Sequence, residues 1–376
     1  MNVTAAEALA LRLASLLLRG RPGGWTDRTR PAGVADVVTW FGAMQAQDLA
    51  SVLWSLGARL PGATQQDVQA ALERREALRT WPMRGTVHLV PPRDARWMLD
   101  VLGSRALAGA AARRATLGLA ADEADRAVDV LGTALAGGRR LTRSECLAAL
   151  TAAGIAVGGQ RGYHLLWYAS QRGVTCIGPQ AGTEQTFTLL DEWVPDPHRP
   201  DRDEALALIA RRYFRSHGPT TRQDFAGWTG LTAADAKRGI AGAGESLTTV
   251  RVDGVEMVAD PALLAGHRAA PEPLNQDEIL VLPGFDEYLL GFKDRTLMVD
   301  DAHKQAIIPG GNGVFQSTVV RAGRVVGTWK RSVAKGRITV AVRPLVAFTP
   351  PERARVEEAF GPYGRYAGQP LEFRWP

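Results

Sequence analysis

Lysine is missing from the first 236 residues of this 376-residue chain, and all five lysines fall at Lys237 or later. A reaction that needs a lysine Schiff base would have to borrow its amine from the C-terminal third, so water is the simpler nucleophile to expect. Cysteine is nearly absent. Cys146 and Cys176 are too few for a disulfide framework, and their spacing does not suit a metal. The six histidines are scattered without ligand spacing, so neither a metal nor another cofactor is expected. Long apolar runs are missing too, and nothing approaches the roughly 18 residues that span a bilayer. Leu9–Leu18 is the richest early stretch, but Arg12 interrupts it and Arg19 flanks it, with no cationic leader or small-residue cleavage site. The expectation is a cytoplasmic protein without membrane partners.

What the chain has in excess is arginine, 40 of its 45 basic residues, as a GC-rich coding sequence would favour. The position of the net charge is more telling. Lys293–Arg343 holds ten basic residues (Lys293, Arg295, Lys304, Arg321, Arg324, Lys330, Arg331, Lys335, Arg337 and Arg343) against Asp294, Asp300 and Asp301. That segment carries +7 of a formal +6, so the rest of the chain sums to −1. One basic segment on a near-neutral body suits a polyanion such as nucleic acid, although a solvated sheet surface would read alike.

Helical spacing of apolar residues runs through Ala5–Arg19, Val34–Met44 and Gln65–Leu78, the last with Thr64 as N-cap. A β-like run at Arg84–Val90 follows, then a helix over Arg93–Leu102. Three helices and a strand pair are the order of a winged-helix module. The order recurs with helices at Ala121–Leu135, Leu141–Ala153 and Gly162–Gln171, and β-like pieces at Val174–Ile177 and Gln185–Leu190. It recurs again with Arg202–Arg215, Thr221–Thr229 and Ala233–Ala241, closed by a hairpin around Asp253-Gly254. Thr142-Arg143-Ser144-Glu145 echoes Thr221-Arg222-Gln223-Asp224, each an outline capping box. Thr64-Gln65-Gln66-Asp67 reads as a generic cap. Beyond Ile279 strands are expected at Leu280–Leu282, Leu297–Val299, Val314–Arg321, Arg324–Lys330 and Ile338–Val342, with a closing helix over Pro351–Phe360. The hairpin turning at Arg321–Arg324 would carry basic residues at its tip, a shape that can reach into a DNA groove. The fold class expected is α+β: three tandem winged-helix modules (1–118, 119–198 and 199–274) and a β-rich DNA-contacting domain (275–376).

Gln45-Ala46-Gln47 follows the apolar helix predicted to end near Met44. Alone, two glutamines at a helix end are ordinary surface residues. Around them, however, Met44-Gln45-Ala46-Gln47-Asp48, Arg84-Gly85-Thr86-Val87-His88-Leu89, Phe285-Asp286-Glu287-Tyr288 and Asn312-Gly313-Val314-Phe315-Gln316 occur in order. Through these stretches the chain resembles the winged-helix DNA glycosylase family that includes AlkZ and YcaQ, over nearly its full length. Glutamine at both positions 45 and 47 places the resemblance with the AlkZ-like branch. That branch implies removal of bulky N7-alkylguanine adducts and unhooking of some interstrand crosslinks, in genotoxin resistance or alkylation repair. The implied partner is double-stranded DNA with alkylated bases, met by a monomer associated with the nucleoid.

An N7-alkylated guanine is already cationic and needs little acid catalysis. What remains is to place a water near C1′ and to stabilise an oxocarbenium-like state. Carboxamides do the first through paired donors and acceptors, and the second more weakly than a carboxylate. The expected reaction is therefore that of a monofunctional glycosylase leaving an abasic site. Residues two apart on a regular helix do not face one another, so Gln45 and Gln47, the candidate catalytic pair, should sit in a distorted turn or an extended segment. Asp48 reads as the start of the next turn. Arg84, His88, Arg321, Arg324, Lys330 and Arg331 are the candidate DNA contacts, although a lone strand histidine is more often a packed one. Asp286, Glu287 and Asp294 form a carboxylate set that reads as a structural corner, and Gly310–Gly313 lacks the ending of a phosphate loop. Tryptophans such as Trp54, Trp81, Trp97 and Trp228 read as core. The rival functions are a winged-helix transcriptional regulator and a non-catalytic shield for damaged DNA. Both should tolerate loss of the two glutamines.

Overall fold

The computed structural model describes residues 1–20, 31–334 and 336–376. Lys335, counted in the basic segment, lies outside the described residues. The chain is a mixed α+β structure whose helices begin where the sequence supplies caps. Thr4 with Glu7, Thr64 with Asp67, Thr142 with Glu145 and Thr221 with Asp224 each close a reciprocal box at a helix N-terminus. The echo between Thr142 and Thr221 is thus a repeated capping geometry, and Thr64 shares it.

The strands follow in chain order. β1 (Asn2–Val3) opens the chain, and β2 (Met44–Gln45), β3 (Leu78–Met83) and β4 (Thr86–Val90) lie in the first third. Next come β5 (Leu141–Thr142), β6 (Thr175–Ala181), β7 (Glu184–Leu189), β8 (Thr248–Val252) and β9 (Val255–Ala259). The last are β10 (Ile279–Leu282), β11 (Ser317–Arg321), β12 (Arg324–Ala334), β13 (Arg337–Pro344) and β14 (Leu371–Arg374). They form three sheets of order β1-β8-β9, β2-β4-β3-β6-β7-β5 and β10-β11-β12-β13-β14. The central sheet joins two antiparallel hairpins, β3-β4 and β6-β7, where Arg79 lies opposite Ile177. Its two edges are β5 and β2, and β2 carries Gln45.

Several elements differ from expectation. The helix expected to reach Met44 is Val34–Phe41, and it stops because Gly42 takes φ 82. The helix begun at Gln65 ends at Glu73, Arg75 adopts φ 64, and Leu78 already belongs to β3. Leu297–Val299 is a turn, with Met298 N–H bonded to Arg295 O. Its apolar residues are buried without joining a sheet: Met298 is 1 % exposed and Val299 2 %. Leu49–Gly57 and Gly361–Ala367 are helices that were not foreseen.

One continuous apolar core links the N-terminal helices to the C-terminal sheet. Trp54 illustrates it: its ring lies 4.9 Å from that of Tyr363, and its indole N–H donates to Val281 O. Trp81, Trp97 and Trp228 are buried as expected. No described helix is long and apolar enough to cross a membrane.

Candidate active site and nucleic-acid interface

Gln45 ends β2 in extended conformation, paired with His88 of β4. Ala46 N–H bonds to Val87 O, so alternation along the antiparallel pair directs the Gln45 N–H away from the sheet. Glu287 Oε1 accepts that N–H at 2.9 Å. The side-chain oxygen of Gln45 then accepts the backbone N–H of Gln47 at 3.1 Å. On the other side, Arg79 Nη2 donates to Ala46 O at 3.3 Å. The Gln45–Gln47 segment is thereby held by three groups from outside it, with Gln45 buried and Gln47 exposed. Asp48 caps the helix that starts at Leu49, accepting Ser51 N–H.

His88 lies on the same sheet face as Gln45, since residues directly opposite share a face. It is fully buried, which corrects its expected place at the DNA surface. Burial and then the Arg84 guanidinium push its imidazole down to about 3. Its hydrogen bonds agree with a neutral ring: Nδ1–H donates to Thr86 O at 2.9 Å, and Nε2 accepts from Arg84 Nη2 at 3.3 Å. His88 therefore acts on Arg84. Arg84 and Gly85 form the β3-β4 turn with φ 55 and 71, as a two-residue hairpin of the primed type requires. Arg84 is exposed as a residue at the turn, but its guanidinium folds back onto buried His88, where burial lowers its pKa.

More cations gather nearby. Arg105 donates to Gly230 O at 2.9 Å, and a Cβ added at Gly230 would lie 3.3 Å from the Arg84 chain. Arg295 stacks over Phe315 at 4.9 Å. Burial, and then Arg84, lower its guanidinium's pKa against the pull of Asp224. Arg79 and Arg105 carry no local signal as isolated arginines in an arginine-rich chain, and Arg295 stood out only as one of ten residues in the basic segment.

The three suspected carboxylates separate. Asp286 meets Arg59 through two hydrogen bonds of 2.8 and 2.9 Å and accepts from Ser55, all buried, so it is the expected corner. Asp294 receives Thr296 N–H and O–H in a local turn. Glu287 alone reaches the glutamines. It is 1 % exposed, with Trp228 Nε1–H at 2.9 Å and His217 Nε2 at 3.4 Å from Oε2. Burial would raise its carboxyl, but these donors, His217 foremost, hold it below the usual range.

The basic hairpin needs correction. The turn at Arg321–Arg324 does not project. Gly323 sits so close to Leu9 that an added Cβ would lie 2.7 Å from its Cγ, and Tyr288 O–H donates to Gly323 O. Arg321 is half-buried and paired with Glu352 at 2.6 Å, and Arg324 donates to Leu297 O at 3.2 Å. The exposed ribbon is the next one, β12-β13. Beyond buried Trp329 it presents Lys330, Arg331, Ser332, Val333 and Ala334, with Arg337 opposite Ala334. Arg331 Nη1 donates to the Tyr363 hydroxyl oxygen at 2.9 Å.

Residues 38–366 match the family described as DNA glycosylase AlkZ-like. A curated relative from Streptomyces sahachiroi, an interstrand DNA cross-link repair glycosylase, is 29 % identical over 321 residues, which cover 81 % of this chain and 83 % of that one. The solved structure of the Streptomyces sahachiroi DNA glycosylase AlkZ superposes with a TM-score of 0.78 over 100 % of both chains at 25 % identity. A family match spanning most of the length, with the glutamine segment and its supporting side chains inside it, makes this protein an enzyme of DNA repair and favours that reading over a regulator. The chain belongs to the AlkZ-like DNA glycosylase family.

Proposed function

We propose that the protein is a monofunctional glycosylase that hydrolyses the N-glycosidic bond of N7-alkylated purines in double-stranded DNA. Bulky adducts and interstrand crosslinks would be among its substrates. The observation that carries this reading is the tethered Gln45–Gln47 segment, in which one glutamine's side chain engages the backbone of the other. Such a pair can hold a water at C1′ with its remaining acceptors and donors. Water's oxygen bonds to C1′ and its proton passes to solvent. The C1′–N9 electron pair leaves with the base and quenches the N7 cation, so no acid is needed. The side chains of Arg84, Arg105 and Arg295 would meet phosphates around the damaged nucleotide, and the β12-β13 ribbon with Lys330 and Arg331 would meet them further off.

The scaffold we infer is three winged-helix units, 1–118, 119–198 and 199–274, followed by a β-rich domain over 275–376. Helices followed by the hairpins β3-β4, β6-β7 and β8-β9 support it. The protein would act as a monomer. The Streptomyces sahachiroi relative is an interstrand DNA cross-link repair glycosylase, which supports a bulky substrate. The test is abasic-site formation on duplexes carrying N7-methylguanine, a bulky N7 adduct or an N7-linked crosslink. Release above the spontaneous rate on any of them upholds the reading, and the ranking among them names the substrate. Spontaneous rates throughout, with DNA still bound, would sink it.

A further inference from the structure

We infer that Glu287 is a positioning residue of base excision. It holds the backbone of Gln45 in register and sets a fixed negative charge behind the glutamine pair. This rests on the proposed role of Gln45 and Gln47. β2 is an edge strand of two residues, too short to define its own position, and the Gln45 N–H points outward from it. An outward N–H that is buried needs an acceptor, and Glu287 supplies it across 242 positions of sequence.

The carboxylate is itself tightly fixed. Oε1 takes the Gln45 N–H, while Oε2 takes the Trp228 indole N–H and also meets His217 Nε2. Gly291 lies so near His217 that an added Cβ would sit 2.3 Å from its Cδ2. Phe285, two residues earlier, adopts φ 60, a conformation a bulky residue takes only under constraint. A strained backbone and a close glycine are what it takes to bring Glu287 inward.

The chemistry gives the charge a use. Gln-Ala-Gln is neutral, and carboxamide dipoles alone stabilise a cation weakly. A buried carboxylate held next to Gln45 adds an attraction that water does not screen, without touching the DNA. Burial and three partners, the Gln45 N–H, the Trp228 indole and His217, make it a fixed charge rather than a proton shuttle. Glu287 is thus not a catalytic residue in its own right.

The experiment compares Glu287→Gln, Glu287→Asp and Gln45→Ala with wild type in single-turnover base release from N7-alkylguanine duplex. Affinity for undamaged duplex and the melting temperature are measured alongside. A further readout is the preference for duplex carrying a cationic pyrrolidine abasic analogue over one carrying the neutral tetrahydrofuran analogue. Glu287→Gln should slow release by about tenfold or more, the scale on which supporting groups act. Its affinity for undamaged duplex should be unchanged and its preference for the cation lost. Glu287→Asp keeps the charge but retracts it from the Gln45 N–H, so release should slow while the preference stays. Wild-type release by Glu287→Gln, or slow release with the cation preference intact, overturns the inference. If Glu287→Gln does not fold, Glu287→Asp decides, and wild-type release by it overturns the inference. Gln45→Ala separates the two ideas: if it releases base normally, the reading of the glutamines has failed, whatever Glu287 does.

Discussion

The Gln45 side-chain oxygen accepts the Gln47 backbone N–H at 3.1 Å, so the two glutamines share one turn. Removing the Gln45 carboxamide frees that N–H and with it the placement of Gln47. Gln45→Ala and Gln47→Ala should each lower single-turnover excision by about a hundredfold, within the range for a lost proton-handling or water-positioning group. The double variant should cost less than the product of the two, because they act as a unit. Strict multiplicativity in the rate constants would argue that the residues act separately.

His88 makes stability depend on pH. Folded, its imidazole gains a proton only near pH 3, whereas an exposed histidine does so near 6.5. Between those values the unfolded chain holds the extra proton, so stability falls as pH drops from about 6.5 towards about 3. The slope for one such group approaches about 1.4 kcal/mol per pH unit. Above pH 6.5 His88 contributes no dependence. Melting curves from pH 7 to 5 should therefore fall more steeply for wild type than for His88→Asn, and parallel slopes would contradict the assignment.

The docked turn and the exposed ribbon hold two separate pairs of cations. Lys330→Ala with Arg331→Ala should reduce the slope of log affinity against log salt by about 2, from roughly 0.9 per phosphate contact. Arg321→Ala with Arg324→Ala, in the docked turn, should leave that slope where it is and lower stability through the lost Glu352 pairing. Filter-binding or anisotropy titrations over a salt series decide between them.

Arg59 and Asp286 face one another with side chains 0 % and 3 % exposed. Arg59→Met leaves a buried carboxylate without its cation, which costs about 3–5 kcal/mol. Denaturant unfolding should show that loss. A change below about 1 kcal/mol would mean that Ser55 and the Tyr288 N–H suffice for Asp286.

The neighbouring acids Asp286 and Glu287 show where sequence reading stops. Both stand in one motif and both looked like a corner, yet one binds Arg59 while the other holds Gln45. Nothing within several residues distinguishes them, because their partners lie more than two hundred positions away. The two hairpins near Arg321 failed for a related reason. Alternating apolar residues and a turn signal identified the strands, but which turn projects depends on Leu9 and Tyr288 occupying one of them. Helix geometry alone leaves a distorted turn or an extended segment for Gln45 and Gln47, since side chains two apart cannot cooperate on a regular helix, and the structure places Gln45 in the second.

By itself the sequence determined the capped helices, the hairpin at Asp253-Gly254, the basic C-terminal segment and the glutamine pair with its family. All of these rest on contacts a few residues long, or on motifs read in order. Tertiary structure alone decided that β2 is an edge strand, that His88 is neutral beneath Arg84, and that Glu287 reaches Gln45. A buried donor must find an acceptor wherever the fold brings one, and local patterning along a chain does not say which distant residue will be there.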